Sequence, residues 1–464
     1  MSKGGMKIDN YALSALLIVF AALSFSGNAR AGDAYTPGSA VQEAIHNNYL
    51  IRATMDQIKA AQAQRRSATA GMLPELSFDY SAVGLKNQPY LQIPHRPLPV
   101  FNAGKPNGDS VYLPPRMYMN GTALINWEIE LKQPIFTGFA LFNQHKLAEL
   151  GIDVARVQRE EALLNIAEEV KIVYFNTLRA QKQLQVADER VRQLTSHEDE
   201  AQHFYDRGII AYNDLLKSQV ALADAVQFKS QAAANLDIAR ANFNTVINRD
   251  LNQDVQLQDI TSVTSSTDTL TALTDEALQE RPELKAMGIR VQEANTHVRL
   301  AESEYYPHVF AFAAYTQAGQ DGLAARNIYQ NQYNQMVGIG IKWTLFNWLK
   351  TTDNAQQADY MKSALQNQLR AFMNQVKLQV KSDFIALHTA ADDISTSEAA
   401  LAQAKENYRI TNKQYGQQLV TSTEVLDAQT YLTQAELNYY NALYGYEINF
   451  AKLERSIGRN DYGK

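Results

Sequence analysis

Eight histidines (His46, His95, His145, His197, His203, His297, His308 and His388) are the first residues to weigh. Imidazole is the commonest metal ligand and proton carrier in proteins. These eight are scattered, and no two have the i, i+4 spacing of a helical metal site. His197 and His203 stand in an acidic run with Glu198, Asp199, Glu200 and Asp206. Residues of these types normally occupy the solvated face of a helix, and that is the role expected of them here rather than a metal cluster. The sequence contains no Gly-x-Ser-x-Gly, no phosphate-cradling glycine loop and no Asp/Asn-rich calcium loop. It also has no cysteine, which excludes thiolate zinc sites, thiol nucleophiles, disulfides and a lipidated cysteine behind a signal peptide. Enzymatic activity therefore has no candidate residues, and no cofactor or metal is implied. A pair that does have geometry is Glu424 and Asp427, whose i, i+3 spacing puts both carboxylates on one helix face.

The rest of the chain must explain what such residues are for. It has 464 residues, 43 Lys plus Arg against 49 Asp plus Glu, a formal charge of -6 and a mean hydropathy of -0.33. Mild acidity argues against a nucleic-acid partner, which calls for a basic face. After the N-terminus no uninterrupted apolar run approaches the ~18 residues of a membrane helix. At the N-terminus, Lys3 and Lys7 precede an apolar stretch from Tyr11 to Phe25, followed by Gly27 and Ala29-Arg30-Ala31. This is the pattern of a secretory signal peptide over residues 1–31, with the mature chain beginning at Gly32.

Proline marks where long helices can exist. Seven of the 12 prolines lie between Pro89 and Pro115, none between Pro134 and Pro282, and none beyond Pro307. A proline inside a helix costs about 3 kcal/mol, so the empty tracts can hold uninterrupted helices. Apolar residues recur there at helical spacing, as in Ile166, Val170, Val173, Leu178, Leu184 and Val191. A helix over 140–200 would reach roughly 90 Å, a length suited to a coiled coil or a tube.

The chain also repeats itself. Ala44, Ile58, Ala61, Ala68 and Pro74 recur as Ala277, Val291, Ala294, Ala301 and Pro307, at a constant offset of 233. Further on the offset is 210: Ile129/Ile339, Phe136/Phe346, Tyr205/Tyr415, Leu216/Leu426, Gln219/Gln429 and Arg249/Arg459. The first copy thus carries 23 extra residues, in the proline-rich insertion. Two copies of one structural unit are expected, 32–250 and 274–464, joined by a linker over 251–273. Each is read as helix, strand, loop, strand and two long helices.

The strands show period-2 alternation. Leu76, Phe78, Tyr80 and Ala82 alternate with Ser77, Asp79 and Ser81; Ala123, Ile125, Trp127, Ile129 and Leu131 alternate with Asn126, Glu128, Glu130 and Lys132. The second copy offers Val309, Ala311, Ala313 and Tyr315, then Val337, Ile339, Ile341 and Trp343 alternating with Gly338, Gly340 and Lys342. The expected strands are about 75–87, 122–133, 308–317 and 336–345, with a long extracellular loop over 88–121. One face apolar and the other polar is the pattern of a strand between lipid and a wet lumen. Four strands cannot close a barrel, and lipid does not tolerate an open sheet edge, so copies of the chain must associate. A dimer with eight strands or a trimer with 12 would each satisfy this.

In their order and spacing these features resemble the TolC family of outer-membrane efflux channels. The likeness rests on Ala44-Ile45-x-Asn47-Asn48 with its partner Ala277-Leu278-x-x-Arg281-Pro282-Glu283-Leu284, and on the Ala-rich helices ending at Pro74 and Pro307. It rests also on the strand exits Gln133-Pro134-Ile135-Phe136-x-Gly138 and Trp343-Thr344-Leu345-Phe346. Tyr205-x-x-Gly208 through Asp214-Leu215-Leu216, and Tyr415 through Glu424-Val425-Leu426-Asp427-Ala428, complete it. The resemblance implies a mainly α fold with a membrane β-barrel: a homotrimer with one 12-stranded barrel in outer-membrane lipid and a long helical tunnel through the periplasm. It implies docking to a periplasmic adaptor (membrane fusion) protein and an inner-membrane pump of RND, ABC or MFS type, serving efflux or type I secretion. It also makes 251–273 a band around the tunnel's middle, where composition alone gives a linker.

The resemblance further places the periplasmic entrance at the turns around Gly208 and Gln418. Glu424 and Asp427 match an acidic ring at that entrance, and three chains would supply six carboxylates around a narrow axis. Asp214 and Tyr415 match an acid and a tyrosine of a polar latch whose arginine falls here at Val420, a departure from the pattern. Arg207 and Lys217 are the nearby cations. Gly208, Ile209, Ile210, Leu419 and Val420 are the candidate adaptor contacts. A rival from another class is a secreted coiled-coil stalk or adhesin, which accounts for the export signal and the helices but not for four amphipathic strands placed symmetrically in two copies.

Overall fold

The structure, a computed structural model, describes residues 34–94, 97–260, 263, 268–328 and 331–459. The expected signal peptide lies outside these residues. The chain opens with α1 (Pro37–Asn47) and α2 (Tyr49–Ala70), then β1 (Glu75–Gly84). The insertion follows, with β2 (Tyr90–Gln92), β3 (Pro97–Asn102), β4 (Lys105–Tyr112) and β5 (Arg116–Tyr118), before β6 (Ala123–Thr137), α3 (Ala140–Asp206) and α4 (Tyr212–Val246). The second copy runs α5 (Leu270–Glu280), α6 (Pro282–Glu302), β7 (His308–Gly319), β8 (Tyr333–Lys342), α7 (Lys350–Gly416) and α8 (Ser422–Ile457). No helix among the described residues is long and apolar enough to cross a membrane.

Each copy therefore opens with two helices where one was expected. Asn48 is extended, with φ -67° and ψ 128°, and its side chain accepts from Leu50 N at 2.7 Å to cap α2. At the equivalent break Arg281 is extended and Pro282 takes the first helical position, since proline disfavours helical backbone in the residue before it. The proline-free tracts hold α3 and α7, 67 residues each, about 100 Å at 1.5 Å per residue. α3 runs against α2, α4, α6 and α8, and α7 against α6 and α8. Buried Ala44, Val170, Tyr174, Leu178, Phe243 and Ile247 form one core; Leu273, Val376, Val380, Leu387, Leu453 and Ile457 form the other.

The segment after α4 is strapped onto the first core. Val255 is buried, Tyr35 pairs with Leu257 in a parallel bridge, and the Tyr174 hydroxyl lies 2.6 Å from the carbonyls of both Tyr35 and Gln258. Asp259 accepts from Tyr444 at 2.8 Å and pairs with Lys182 at 2.7 Å, and these partners hold its carboxyl below the usual range despite the opposing effect of burial.

The four main strands make one antiparallel sheet in the order β1-β6-β7-β8. Its register sets Phe78, Ile129 and Tyr315 in a row, and Leu76, Leu131, Ala313 and Val337 in another, all on the apolar face. Asp79, Glu128 and Thr316 share the opposite face. β6 runs past its expected end through Pro134, because a bulge between Pro134 and Phe136 absorbs the missing donor. The 88–121 segment is not a plain loop. β2 pairs with β5 and β3 with β4, around a turn at Ala103 and Gly104 with φ of 48° and 80°. A two-stranded ribbon leaves one side of each strand unpaired, so it tolerates prolines that a central strand would not.

On the polar face Phe310 and Phe312 lie across Gly340 and Gly338. A Cβ at Gly340 would sit 2.4 Å from the Phe310 ring, and at Gly338 2.8 Å from that of Phe312. Lys132 lies over the Phe310 ring at 4.7 Å. Gly340→Ala is expected to destabilise the assembled protein by about 1–3 kcal/mol through overpacking. Adding Phe310→Ala should recover part of that loss in thermal denaturation followed by circular dichroism.

Candidate functional site

Two helical hairpins, α3–α4 and α7–α8, end at turns built alike. Gly208 and Gln418, 210 apart in sequence, both adopt left-handed backbone with φ of 71° and 62°. Ile209 N donates to Phe204 O and Leu419 N to Gln414 O, each at 2.9 Å. The glycine takes this conformation freely, whereas the glutamine pays about 1 kcal/mol for it.

The α8 side of the tip starts with a capping box. Thr421 Oγ1 accepts from Glu424 N at 3.4 Å, and Glu424 Oε1 accepts from Thr421 N at 3.3 Å. Glu424 and Asp427 are both exposed, on a face that the buried Val425, Ala428, Gln429 and Leu432 leave free. Glu424 thus has a local structural task besides any role at an axis. The signal in the sequence is the Thr-x-x-Glu of residues 421–424.

In the first copy Lys217 Nζ binds Asp214 Oδ1 at 3.2 Å and reaches across to Thr423 Oγ1, also at 3.2 Å. Asp214 is therefore engaged by Lys217, while Arg207 ends α3 exposed. Tyr415 is not hydrogen-bonded to Asp214. Its hydroxyl is buried beside Ser422 without a well-aligned partner. Burial, and then the negative charges of Glu200 and Asp214, push its ionisation upward.

Val420 fills the place where an arginine was expected. It packs with Ile210 and Tyr408 against the buried Phe204, Tyr415 and Val425. Among the candidate contact residues Ile209 is 42% and Leu419 69% exposed, and the turn at Gly208 is exposed. Ile210 and Val420 do not share that surface, since they are half-buried in the tip cluster.

His197 departs most from the sequence reading. It is not on a solvated face: it is 3% exposed, packed against the Tyr415 ring with centroids 4.6 Å apart and planes inclined at 50°, with Nε2 2.8 Å from Ser422 Oγ. Ser422 Oγ lies 3.1 Å from Ser218 Oγ. Burial pushes the imidazole down to about 4. His203 is exposed, and no group of His, Asp and Glu able to hold a metal occurs among the described residues. The available signal was the stripe Leu194, His197, Ala201, Phe204, in which the histidine takes a core position at helical spacing.

The chain matches a family model described as outer membrane efflux protein over residues 40–249 and 273–459. It is 23% identical to the outer membrane protein TolC of Vibrio cholerae over 290 residues, 61% of this chain and 66% of that protein, so it spans just under two thirds of that relative's length. It is 22% identical to the alkaline protease secretion protein AprF of Pseudomonas aeruginosa over 427 residues, 89% of this chain and 82% of that protein. Among solved structures, CusC superposes with a TM-score of 0.74 at 16% identity, covering 91% of this chain and 92% of that one. The CmeC outer membrane channel of Campylobacter jejuni gives 0.73 at 14% identity, covering 99% and 93%.

Because Glu424 closes the capping box, Glu424→Ala should loosen the first turn of α8 by about 1 kcal/mol, while Glu424→Gln keeps the box and stays within a few tenths. Amide hydrogen exchange over 422–425 reads the difference.

Proposed function

The chain belongs to the outer membrane efflux protein family, and on that premise we propose that it is the passive exit duct of an export machine. Three copies close a 12-stranded barrel in the outer membrane, and their long helices enclose a tunnel through the periplasm. The observation that carries this reading is one four-stranded sheet with two free edges, β1 and β8, continuing into helices of about 100 Å. The apolar row around Phe78, Ile129 and Tyr315 meets lipid, and the face with Asp79 and Glu128 lines water. The secreted stalk offers no use for such a sheet.

The tips of the two hairpins form the periplasmic entrance. Glu424 and Asp427 from three copies ring its axis, where six carboxylates disfavour anions and attract cations. Asp214 is held by Lys217, and the tip is sealed by Val420 and its apolar neighbours rather than by an arginine latch with Asp214 and Tyr415. The exposed Ile209 and Leu419, beside the Gly208 and Gln418 turns, are the surface for a periplasmic adaptor. An inner-membrane pump supplies the energy and sets the cargo, small molecules or proteins. The duct itself needs no catalytic group.

Single-channel recording in planar bilayers tests the entrance. Glu424→Gln with Asp427→Asn should abolish block by trivalent cations added on the entrance side, whereas Lys217→Gln, which frees Asp214, should tighten it several-fold. Block unchanged in the double variant would remove the ring from these residues. Recovery of the protein in a detergent-free soluble fraction would overturn the duct altogether.

A further inference from the structure

Besides the Lys217–Thr423 contact, a buried polar cluster joins the two hairpins at the tip. Ser218 Oγ lies 3.2 Å from the carbonyl oxygen of Asp214, a contact in which only the serine can donate. With its proton on Asp214 O, Ser422 donates to Ser218 at 3.1 Å and His197 Nε2–H donates to Ser422 at 2.8 Å. This assignment runs in one direction, from α3 through α8 into α4, and sets the tautomer. Nδ1 is left as a buried lone pair with no donor. Tyr415, tilted against the ring at 4.6 Å, brings α7 into the same cluster. Ser218 and Ser422 are 1% and 2% exposed.

We propose that the chain His197–Ser422–Ser218 is the clasp that holds the α7–α8 tip onto the α3–α4 tip, and that a proton on His197 releases it. This rests on reading the tips as the entrance. His197 is then a positioning residue for the entrance.

The geometry dictates the response to acid. A second proton on the ring must go to Nδ1, where the wall offers no acceptor, and it would leave a cation enclosed without a counter-charge. The groups around it do not supply one. Glu198, on the same helix, accepts from Gln219. On α4, Asp214 and Lys217 pair with each other, and on α8 Glu424 turns to Thr421. Tyr415 of α7 is a neutral phenol with its ionisation pushed up, and Glu200 has its own carboxyl pushed up by burial. Burial alone holds the clasped imidazole at about 4, against 6.5 for a released one. A lowered pKa means that the clasp is at full strength above about 6.5, weakens as pH falls through that value, and weakens no further below about 4. With tenfold per pH unit, the preference for the clasped form falls on the order of a hundredfold per protomer.

The test uses the full-length protein in the Glu424→Gln, Asp427→Asn background, so that the ring carboxylates do not titrate. Two readouts are followed from pH 7.5 to 4: conductance in planar bilayers, and amide protection factors over 422–425. Open probability should rise below about pH 6.5 and level off near 4, as protection at α8 falls. His197→Gln, whose amide can still donate to Ser422, should keep both readouts flat. Ser422→Ala should be several-fold more open at pH 7.5 and respond weakly to acid. An acid response that survives in His197→Gln, or that disappears in Glu200→Gln instead, overturns the clasp. If protection at α8 falls with acid only when His197 is present but conductance never moves, the tips are not the entrance, and the gating role is overturned with that reading while the hydrogen-bonded chain stands.

Discussion

A sheet edge in hydrocarbon leaves a row of backbone N–H and C=O groups without partners, at several kcal/mol for each group. The sheet β1-β6-β7-β8 has two such edges, and among the described residues no other strand pairs with them. Everything else in the proposed assembly follows from closing them. Four strands per chain fix how many chains a barrel of given size requires, and each strand that leaves the barrel must continue as a helix in the same ring. β6 passes into α3 through Gly138 and Phe139, and the second copy enters α7 through Trp348 and Leu349, all four with positive φ. The first of these pairs uses a glycine whose Cβ would fall 2.3 Å from Ser303 O, so that junction is closed to any larger residue.

Below the sheet the helices need an axis-wide scaffold rather than a globular core, and the buried residues are distributed accordingly. One core is centred on Tyr174 and Phe243, the other on Val376 and Val380. They meet along α8, which supplies Tyr444 and Ile448 to the first and Leu453 and Ile457 to the second and is held in place by ion pairs. Glu283 pairs with Arg455 at 2.6 Å and with Arg281 at 3.2 Å, Lys171 with Glu454 at 2.6 Å, and Arg459 with Glu276 at 2.8 Å. The arginines hold Glu283 below the usual carboxylate range even though burial opposes it. Thus Arg281-Pro282-Glu283-Leu284 does two jobs at once: the proline breaks α5 from α6, and the flanking charges tie that break to α8.

The large elements were legible in the sequence because each follows a period or a prohibition. Alternation over Ala123–Leu131 permits little but a two-faced strand, and the proline-free tracts permit α3 and α7. The offset of 210 even aligned Gly208 with Gln418, which proved to share one backbone conformation. What was not legible depends on contacts between hairpins remote in sequence. The acidic neighbours of His197 suggested a wet helix face, yet on a 3.6-residue period Leu194, Ala201 and Phe204 place it inward. Its partners Ser218 and Ser422 sit beside it only because α4 and α8 both return along α3. The paired ribbons within the insertion were hidden for a different reason: so many prolines erase the alternation by which strands are recognised.

The exchange of an arginine for Val420 changes the physics of the tip. A charged latch gains its strength from Coulomb attraction but must be desolvated to close, so its net contribution is small or case-dependent. Here closure brings together Phe204, Tyr415, Val425, Ile210 and Val420, with a neutral histidine donating to a serine. Such a contact is insensitive to salt, since it presents no net charge to screen. Its weakness is specific instead: it encloses an imidazole, a group that once released takes up a proton near neutrality. In the proposed entrance, an acidic rim and an uncharged seal divide the work: Glu424 and Asp427 act on passing ions while the apolar cluster around Tyr415 and Val425 holds the tip, and Lys217 binds Asp214 and Thr423.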